Sequence, residues 1–140
     1  MTLKKKVNIA SYLDSTYLKT TDETGVSAIE TKEIVINYIM EAIDANFACI
    51  MIRSEFITLA KELIEISKSK LKVGTVVDFP FGTSSTKQKI SEGKLAIERG
   101  VYDIDYVCDY NAFKRGSFEK FDNDIIEVTK FVLGHKKIIK

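Results

Sequence analysis

Residues 71–107 read LKVGTVVDFPFGTSSTKQKISEGKLAIERGVYDIDYV, and this stretch decides the architecture. LKVGTVVDF is a β-rich run that stops at Pro80 and Gly82, the residues that punctuate extended chain. Ser85 can then cap a helix on which Ile90, Gly93 and Ile97 share one face, and Gly100 supplies a left-handed stop. YDIDYVCDY (102–110) follows as a second extended run. Strand, amphipathic helix and strand in succession make a unit whose two strands run parallel, with the helix packed across them.

Working outward, the same order repeats on both sides. FACIMI (47–52) is a compact apolar run of strand length. Before it, TKEIVINYIMEAIDAN (31–46) offers Thr31 as a cap and sets Ile34, Tyr38 and Ala42 on one helical face, with Val35, Ile39 and Ile43 beside them. After it, SEFITLAKELIEISKS (54–69) offers Ser54 as a cap and Leu59, Leu63 and Ile66 at helical spacing. IASYLDSTYL (9–18) adds an earlier candidate strand. At the other end, DNDIIEVTKFVLG (122–134) reads as a helix capped by Asp122 and ended by Gly134, and KKIIK (136–140) opens a further strand. Strict alternation of this kind is the signature of an α/β protein with a parallel sheet and helices outside it. The pattern is interrupted at Lys140, so residues 1–140 are expected to form a single truncated domain.

Composition narrows the functions. Twenty-one basic residues against 20 acidic ones leave a net charge of +1, which favours neither nucleic acid nor an acidic membrane surface as partner. The basic run at Lys4, Lys5 and Lys6 reads as a solvated tail. No apolar run approaches the roughly 20 residues of a membrane span, and no signal-peptide core is present, so a cytoplasmic location is expected. The two cysteines, Cys49 and Cys108, lack metal-ligand spacing and fit reduced thiols. With His135 the only histidine, neither a histidine-based zinc site nor a Ser-His-Asp triad is expected, which leaves lysine and carboxylate chemistry.

Three stretches could carry such chemistry. In DIDYVCDY (103–110), alternation puts Asp103, Asp105 and Val107 on one face, and Ile104, Tyr106 and Cys108 on the other. Two carboxylates on one face of a core strand are either neutralised near a strand end or functional. FPFGTSST (79–86) could receive a phosphate on its free amides, although capping of the next helix is the commoner use and a Walker-type ending is absent. YLDSTYLK (12–19) sets Asp14, Ser15 and Thr16 in one short run that suits a turn as well as a site. Met51 reads as core filling.

Taken together, IASYLDSTYLKT, FACIMIRSEFITLAKELI, KVGTVVDFPFGTSS, ISEGKLAIERGVYDIDYV and NAFKRG resemble the deoxyribose-phosphate aldolase family, in that family's order and over nearly the whole chain. The resemblance implies a (β/α) barrel of the TIM type, represented by roughly its N-terminal half. It implies an aldehyde-lyase that cleaves 2-deoxy-D-ribose 5-phosphate to acetaldehyde and glyceraldehyde 3-phosphate through a lysine Schiff base. No metal or organic cofactor is implied. Carried over residue by residue, Asp105 matches the catalytic aspartate of proton relay. Lys140 falls where the family places its Schiff-base lysine. Asp14 lines the pocket, with Thr16 close by.

Some positions depart from the family pattern. Met51 stands where a cysteine is common, Ser54 where a proline is, and Ser15 where a histidine often follows the first aspartate. The family's second, perturbing lysine and its phosphate-binding glycine and serine amides lie in the portion beyond Lys140. An unperturbed lysine is neutral about once in a few thousand molecules at pH 7, and a neighbouring anion makes that rarer. The chain alone is therefore expected to be inactive, and to self-associate as a homo-oligomer or through its open barrel. The alternative is a non-catalytic half-barrel that binds a sugar phosphate or a protein partner. An open doubly wound sheet ranks last, because no glycine-rich first turn is present.

Overall fold

The computed structural model describes residues 7–140, and the basic run at 4–6 lies outside them. Five strands form one sheet: β1 (Asp14–Tyr17), β2 (Cys49–Ile52), β3 (Lys72–Val77), β4 (Asp103–Tyr106) and β5 (Ile138–Ile139). Every neighbouring pair is parallel, and the spatial order β1-β2-β3-β4-β5 is the order in the chain. A doubly wound sheet reverses its strand order at a switch point, whereas a (β/α) barrel adds each strand beside the last. The sequential order observed is the barrel order.

The helices between the strands are α1 (Thr21–Thr24), α2 (Ala28–Asp44), α3 (Ile57–Ile66), α4 (Thr86–Glu98), α5 (Tyr110–Lys114) and α6 (Phe118–Gly134). The apolar core lies between them and one face of the sheet. Ile50, Ile52, Val73, Val77 and Ile104 point to that side and meet Val35 and Ile39 of α2, Ile57 and Ala60 of α3, Ala96 of α4, and Val128 and Val132 of α6. The other face of each strand is left for the site.

Several helix starts differ from the sequence expectation. α2 begins at a capping box that precedes Thr31: the Ser27 hydroxyl accepts from the Glu30 amide at 3.2 Å, and the Glu30 carboxylate accepts from the Ser27 amide at 2.8 Å. This reciprocal pair satisfies two free N–H groups at once, which one threonine cannot do. Thr31 instead sits on the buried face of α2. Ser54 opens a short 3-10 turn (Ser54–Phe56) and accepts a hydrogen bond from Arg99 at 3.0 Å instead of capping α3. The buried stripe of α3 is Ile57 and Ala60, with Leu63 alongside, while Ile66 is 79% exposed.

Asp122 is likewise no cap. α6 starts at Phe118, because Phe118 and Phe121 close around Phe113 with ring centroids 5.4 and 5.2 Å away. Aromatic packing of that kind extends the helix by a full turn toward its N-terminus. Gly134 remains helical, and the left-handed residue that ends the segment is Lys136. The stop at Gly100 stands as expected, with φ +90°. The early strand is shorter than its apolar run, since residues Ile9–Tyr12 form a 3-10 turn ahead of β1.

Candidate active site

Register assigns the face opposite the helices. Asp14 pairs with Cys49 and Cys49 with Lys72; Thr16 pairs with Met51, Met51 with Gly74, Gly74 with Asp103 and Asp103 with Ile138. Val76 pairs with Asp105, and Lys140 follows β5 two residues beyond Ile138. Paired residues of parallel strands share a face, so these side chains line one concave surface. Its tightest packing is over Gly74, where a Cβ would collide with the Met51 sulfur and crowd the Cys49 sulfur. Met51 is thus packing material, as read from sequence, but on the inner face and dependent on a glycine.

The surface curls. Four parallel spacings of about 4.8 Å would set β1 and β5 roughly 19 Å apart in a flat sheet. Yet Lys140 Nζ donates to Asp14 Oδ2 at 2.9 Å, a contact between residues 126 positions apart. Curvature and stagger of this kind belong to a closing barrel. The same ammonium lies 3.0 Å from Asp103 Oδ2 and 3.4 Å from Asp105 Oδ1, so one cation faces three carboxylates.

Electrostatics follow from that count. Burial alone would lower the Lys140 value, but the hydrogen bonds to Asp14 and Asp103 and the charges of Asp103 and Asp105 outweigh it, so the ammonium is held above its ordinary range. For Asp103, burial is the largest influence and raises the carboxyl; Lys140 pulls it back, and Asp105 and Asp14 add to the rise. Both partners move up because three anions share one proton-rich neighbour, and the most buried of them is the worst matched. Asp103 Oδ1 is buried with no hydrogen-bond partner among the described residues. Cys49 is pushed up to about 12, first by burial and then by Asp14 and Asp103, so its thiol stays protonated and unreactive.

The structure therefore brings together Asp14, Asp105 and Lys140, three of the four site residues expected from sequence, and adds Asp103. Thr16 shares their face but its hydroxyl makes no hydrogen bond among the described residues; it opens onto a separate cleft of about 370 Å³ with Tyr17, Lys19, Tyr38 and Phe79. The FPFGTSST turn spends its Gly82, Ser84 and Ser85 amides internally. Ser84 N–H donates to Asp78 at 2.9 Å, Ser85 N–H to Gln88 at 2.9 Å, and Gln88 N–H to Ser85 at 3.3 Å. Ser85, at its end, caps α4 as read from sequence.

Sequence reasoning missed a second charged cluster on the helix side of β4. Lys89 is fully buried, and its ammonium donates to Asp124 at 2.7 Å and lies 3.7 Å from Asp78. Asp124 also accepts from the Thr86 hydroxyl at 2.8 Å and the Asp109 amide at 3.0 Å. A signal was available: Lys89 shares the buried stripe of α4 with Gly93 and Ala96, and Asp124 that of α6 with Val128 and Val132. Opposite charges on two apolar stripes imply a buried pair.

Fold and inner-face cluster together define part of a TIM-type (β/α) barrel with a lysine and carboxylates on its inner wall. No family model matches the chain. Curated relatives named deoxyribose-phosphate aldolase do: one from Mycoplasmopsis pulmonis is 38% identical over 128 residues, 91% of this chain and 53% of the relative. Another from Bacillus cereus is 37% identical over 134 residues, 96% and 55%, and one from Thermococcus gammatolerans is 34% identical over 131 residues, 94% and 54%. Among solved structures, one from Coccidioides immitis superposes with a TM-score of 0.79 at 25% identity, covering 94% of this chain and 47% of that one. The tetrameric deoxyribose phosphate aldolase of Aeropyrum pernix gives 0.73 at 24% identity, covering 94% and 50%, and supports the fold. The chain belongs to the deoxyribose-phosphate aldolase family, as its N-terminal portion. It spans about half the length of the curated relatives it matches.

Proposed function

We propose that this chain carries one wall of an aldolase active site that cleaves 2-deoxy-D-ribose 5-phosphate, reversibly, to acetaldehyde and glyceraldehyde 3-phosphate. The observation that carries the reading is the meeting of Asp14, Asp105 and Lys140, residues far apart in sequence, at one point of the concave face. On this reading residues 1–140 are one (β/α)-barrel domain in part. Lys140 is the imine-forming amine, Asp105 assists proton transfer at the carbinolamine, and Asp14 and Thr16 line the substrate pocket. Lys140 must first lose the proton its neighbours favour, so imine formation is slow at neutral pH and rises toward alkaline pH. No metal or organic cofactor enters the scheme.

The test is incubation with deoxyribose 5-phosphate, borohydride reduction, intact mass and a digest. An adduct on Lys140 that grows with pH is expected; an adduct on another lysine, or none at any pH, removes Lys140 from the nucleophile's role. The clamped ammonium also favours a second reading, a non-catalytic half-barrel that holds a sugar phosphate through charge. That reading predicts saturable binding with no reducible adduct.

Among the described residues the outer edges of β1 and β5 have no partner strand, which supports self-association through the open barrel. Sedimentation at micromolar concentration checks it, and a clean monomer counts against it. A cytoplasmic setting is supported by the unpaired thiols of Cys49 and Cys108. Among the described residues no helix is long and apolar enough to cross a membrane.

A further inference from the structure

We propose that Asp103 is a further working group of this site, a carboxylate that shares the proton of Lys140 across their direct contact and so decides when Lys140 is a free amine. Three observations carry this. Asp103 Oδ2 lies 3.0 Å from the ammonium, within reach of direct proton transfer. The Asp103 side chain is only 9% exposed, whereas those of Asp14 and Asp105 are 33% and 39% exposed and reach water. Finally, Asp103 Oδ1 is buried with no hydrogen-bond partner among the described residues. Asp105 Oδ1 shares that condition but faces the ammonium at 3.4 Å, so the unmatched oxygen costs most on the more buried Asp103 when it is ionised.

The groups around Asp103 point the same way. Asp105 on its own strand and Asp14 on β1 are anions that face the same ammonium, and burial keeps Cys49 on β2 a neutral thiol. β3 contributes uncharged Gly74 and Val76, and its Lys72 ammonium is drawn away over the Tyr102 ring at 5.1 Å. Beyond β5, whose Ile138 is uncharged, the chain contributes Lys140. A cluster of three carboxylates and one ammonium carries an excess of two negative charges when fully ionised, so it gains from holding a further proton, and Asp103 is where the proton costs least.

The step balances without another reagent. An Nζ–H bond of Lys140 breaks, an O–H bond forms on Asp103 Oδ2, and the ion pair becomes an amine beside a carboxylic acid. The inference deepens the aldolase reading, because imine formation needs that amine, but its test does not depend on turnover. Lys140 is pulse-labelled with acetic anhydride across the alkaline range in the full chain and read by peptide mass spectrometry. D103N is expected to lower the pH midpoint of Lys140 labelling by about one unit or more, D105N by less, and D103E to restore the original profile. A D103N shift no larger than that of D105N overturns the proposal.

A second measurement covers the case in which D103N fails to fold. In chain labelled with carbon-13 aspartate, infrared titration is expected to show a protonated carboxyl persisting well above the ordinary aspartate value of about 3.9, and absent from D103E. If every labelled carboxyl ionises in the ordinary range, the proposal fails. Labelling without a borohydride adduct would sink the aldolase reading and leave the role of Asp103 standing.

Discussion

Two lysine–carboxylate clusters stand back to back across β4. On the helix side, Lys89 is wholly buried and meets Asp124 and Asp78 with backbone and hydroxyl donors filling the remaining valences. On the concave side, the Lys140 side chain is 42% exposed and faces three carboxylates, two of which, Asp103 and Asp105, have a buried oxygen with no hydrogen-bond partner among the described residues. The first cluster is nearly saturated and the second is not. A saturated buried network holds its neighbours in a single arrangement, here the turns after β3 and β4, through Ser84 and Asp109. An unsaturated one has capacity left to move a proton or take a ligand. The contrast separates a scaffold from a site without appeal to what either is called.

Breaking the scaffold cluster has the largest expected effect. Lys89→Met leaves Asp124 as a buried carboxylate without its cation, which costs about 3–5 kcal/mol and moves the urea midpoint strongly downward. Pairing it with Asp124→Leu removes the stranded charge and recovers part of that loss, but not all, because the Asp109 amide and the Thr86 hydroxyl then lose their acceptor. Equal loss in the single and double variants would mean that Lys89 acts through packing alone.

Much of this architecture was legible in the sequence. The βαβ stretch at 71–107 and its repeats fix a parallel sheet with outer helices, and alternation in DIDYV places Asp103 and Asp105 on one face. The family resemblance supplied the barrel and the candidate site residues. Helix starts were less legible, since the Ser27–Glu30 pair lay upstream of the apolar stripe and Phe113 recruited residues ahead of Asp122. The Lys89–Asp124 pair was less legible, because its two charges lie 35 positions apart on different helices and only the packing of α4 against α6 brings them together. The position of Asp14 against Lys140 depends on the curl of the whole sheet, which no local pattern encodes.

Between the clusters lies a packing contact that tests the inner wall. Gly74→Ala would drive a methyl into the Met51 sulfur and crowd the Cys49 sulfur, which lies 3.9 Å from that thioether, so the Met51 side chain must shift. A loss of about 1–3 kcal/mol in urea unfolding is expected, reduced when Met51→Ala is added. Simple additivity of the two would show that the contact does not carry the cost. Opening the exposed cluster should matter less. Lys140→Ala is expected to change stability by about 1 kcal/mol or less at the acid end of the range, because Asp103, whose carboxyl is raised chiefly by burial, gives up its charge there more readily than an ordinary aspartate. Its cost grows as pH rises, because a carboxyl whose folded value is raised loses stability on ionising through that value. A Lys140→Ala penalty that shrinks between pH 5 and pH 8 would contradict the assignment of Asp103 as the poorly matched anion.

The smallest effect concerns Cys49, which sits beside the site but holds no charge. Its thiol titrates near 12 in the folded chain against an ordinary 9.0, chiefly because it is buried. The unfolded chain therefore releases this proton first, so the folded state binds more protons between those two values and stability falls as pH rises through them. Over the first unit the decline attributable to Cys49 is below about 1.4 kcal/mol, the value of one full proton per pH unit. Lys140 adds in the same direction only above the ordinary lysine range, because its folded value is raised and its contribution is intact below that range. Urea unfolding at pH 9 and pH 10 separates them: Cys49→Ala should flatten the decline in that interval, while Lys140→Ala should leave the Cys49 share in place. An unchanged slope in Cys49→Ala would place that thiol in contact with water, and with it the inner wall over Gly74.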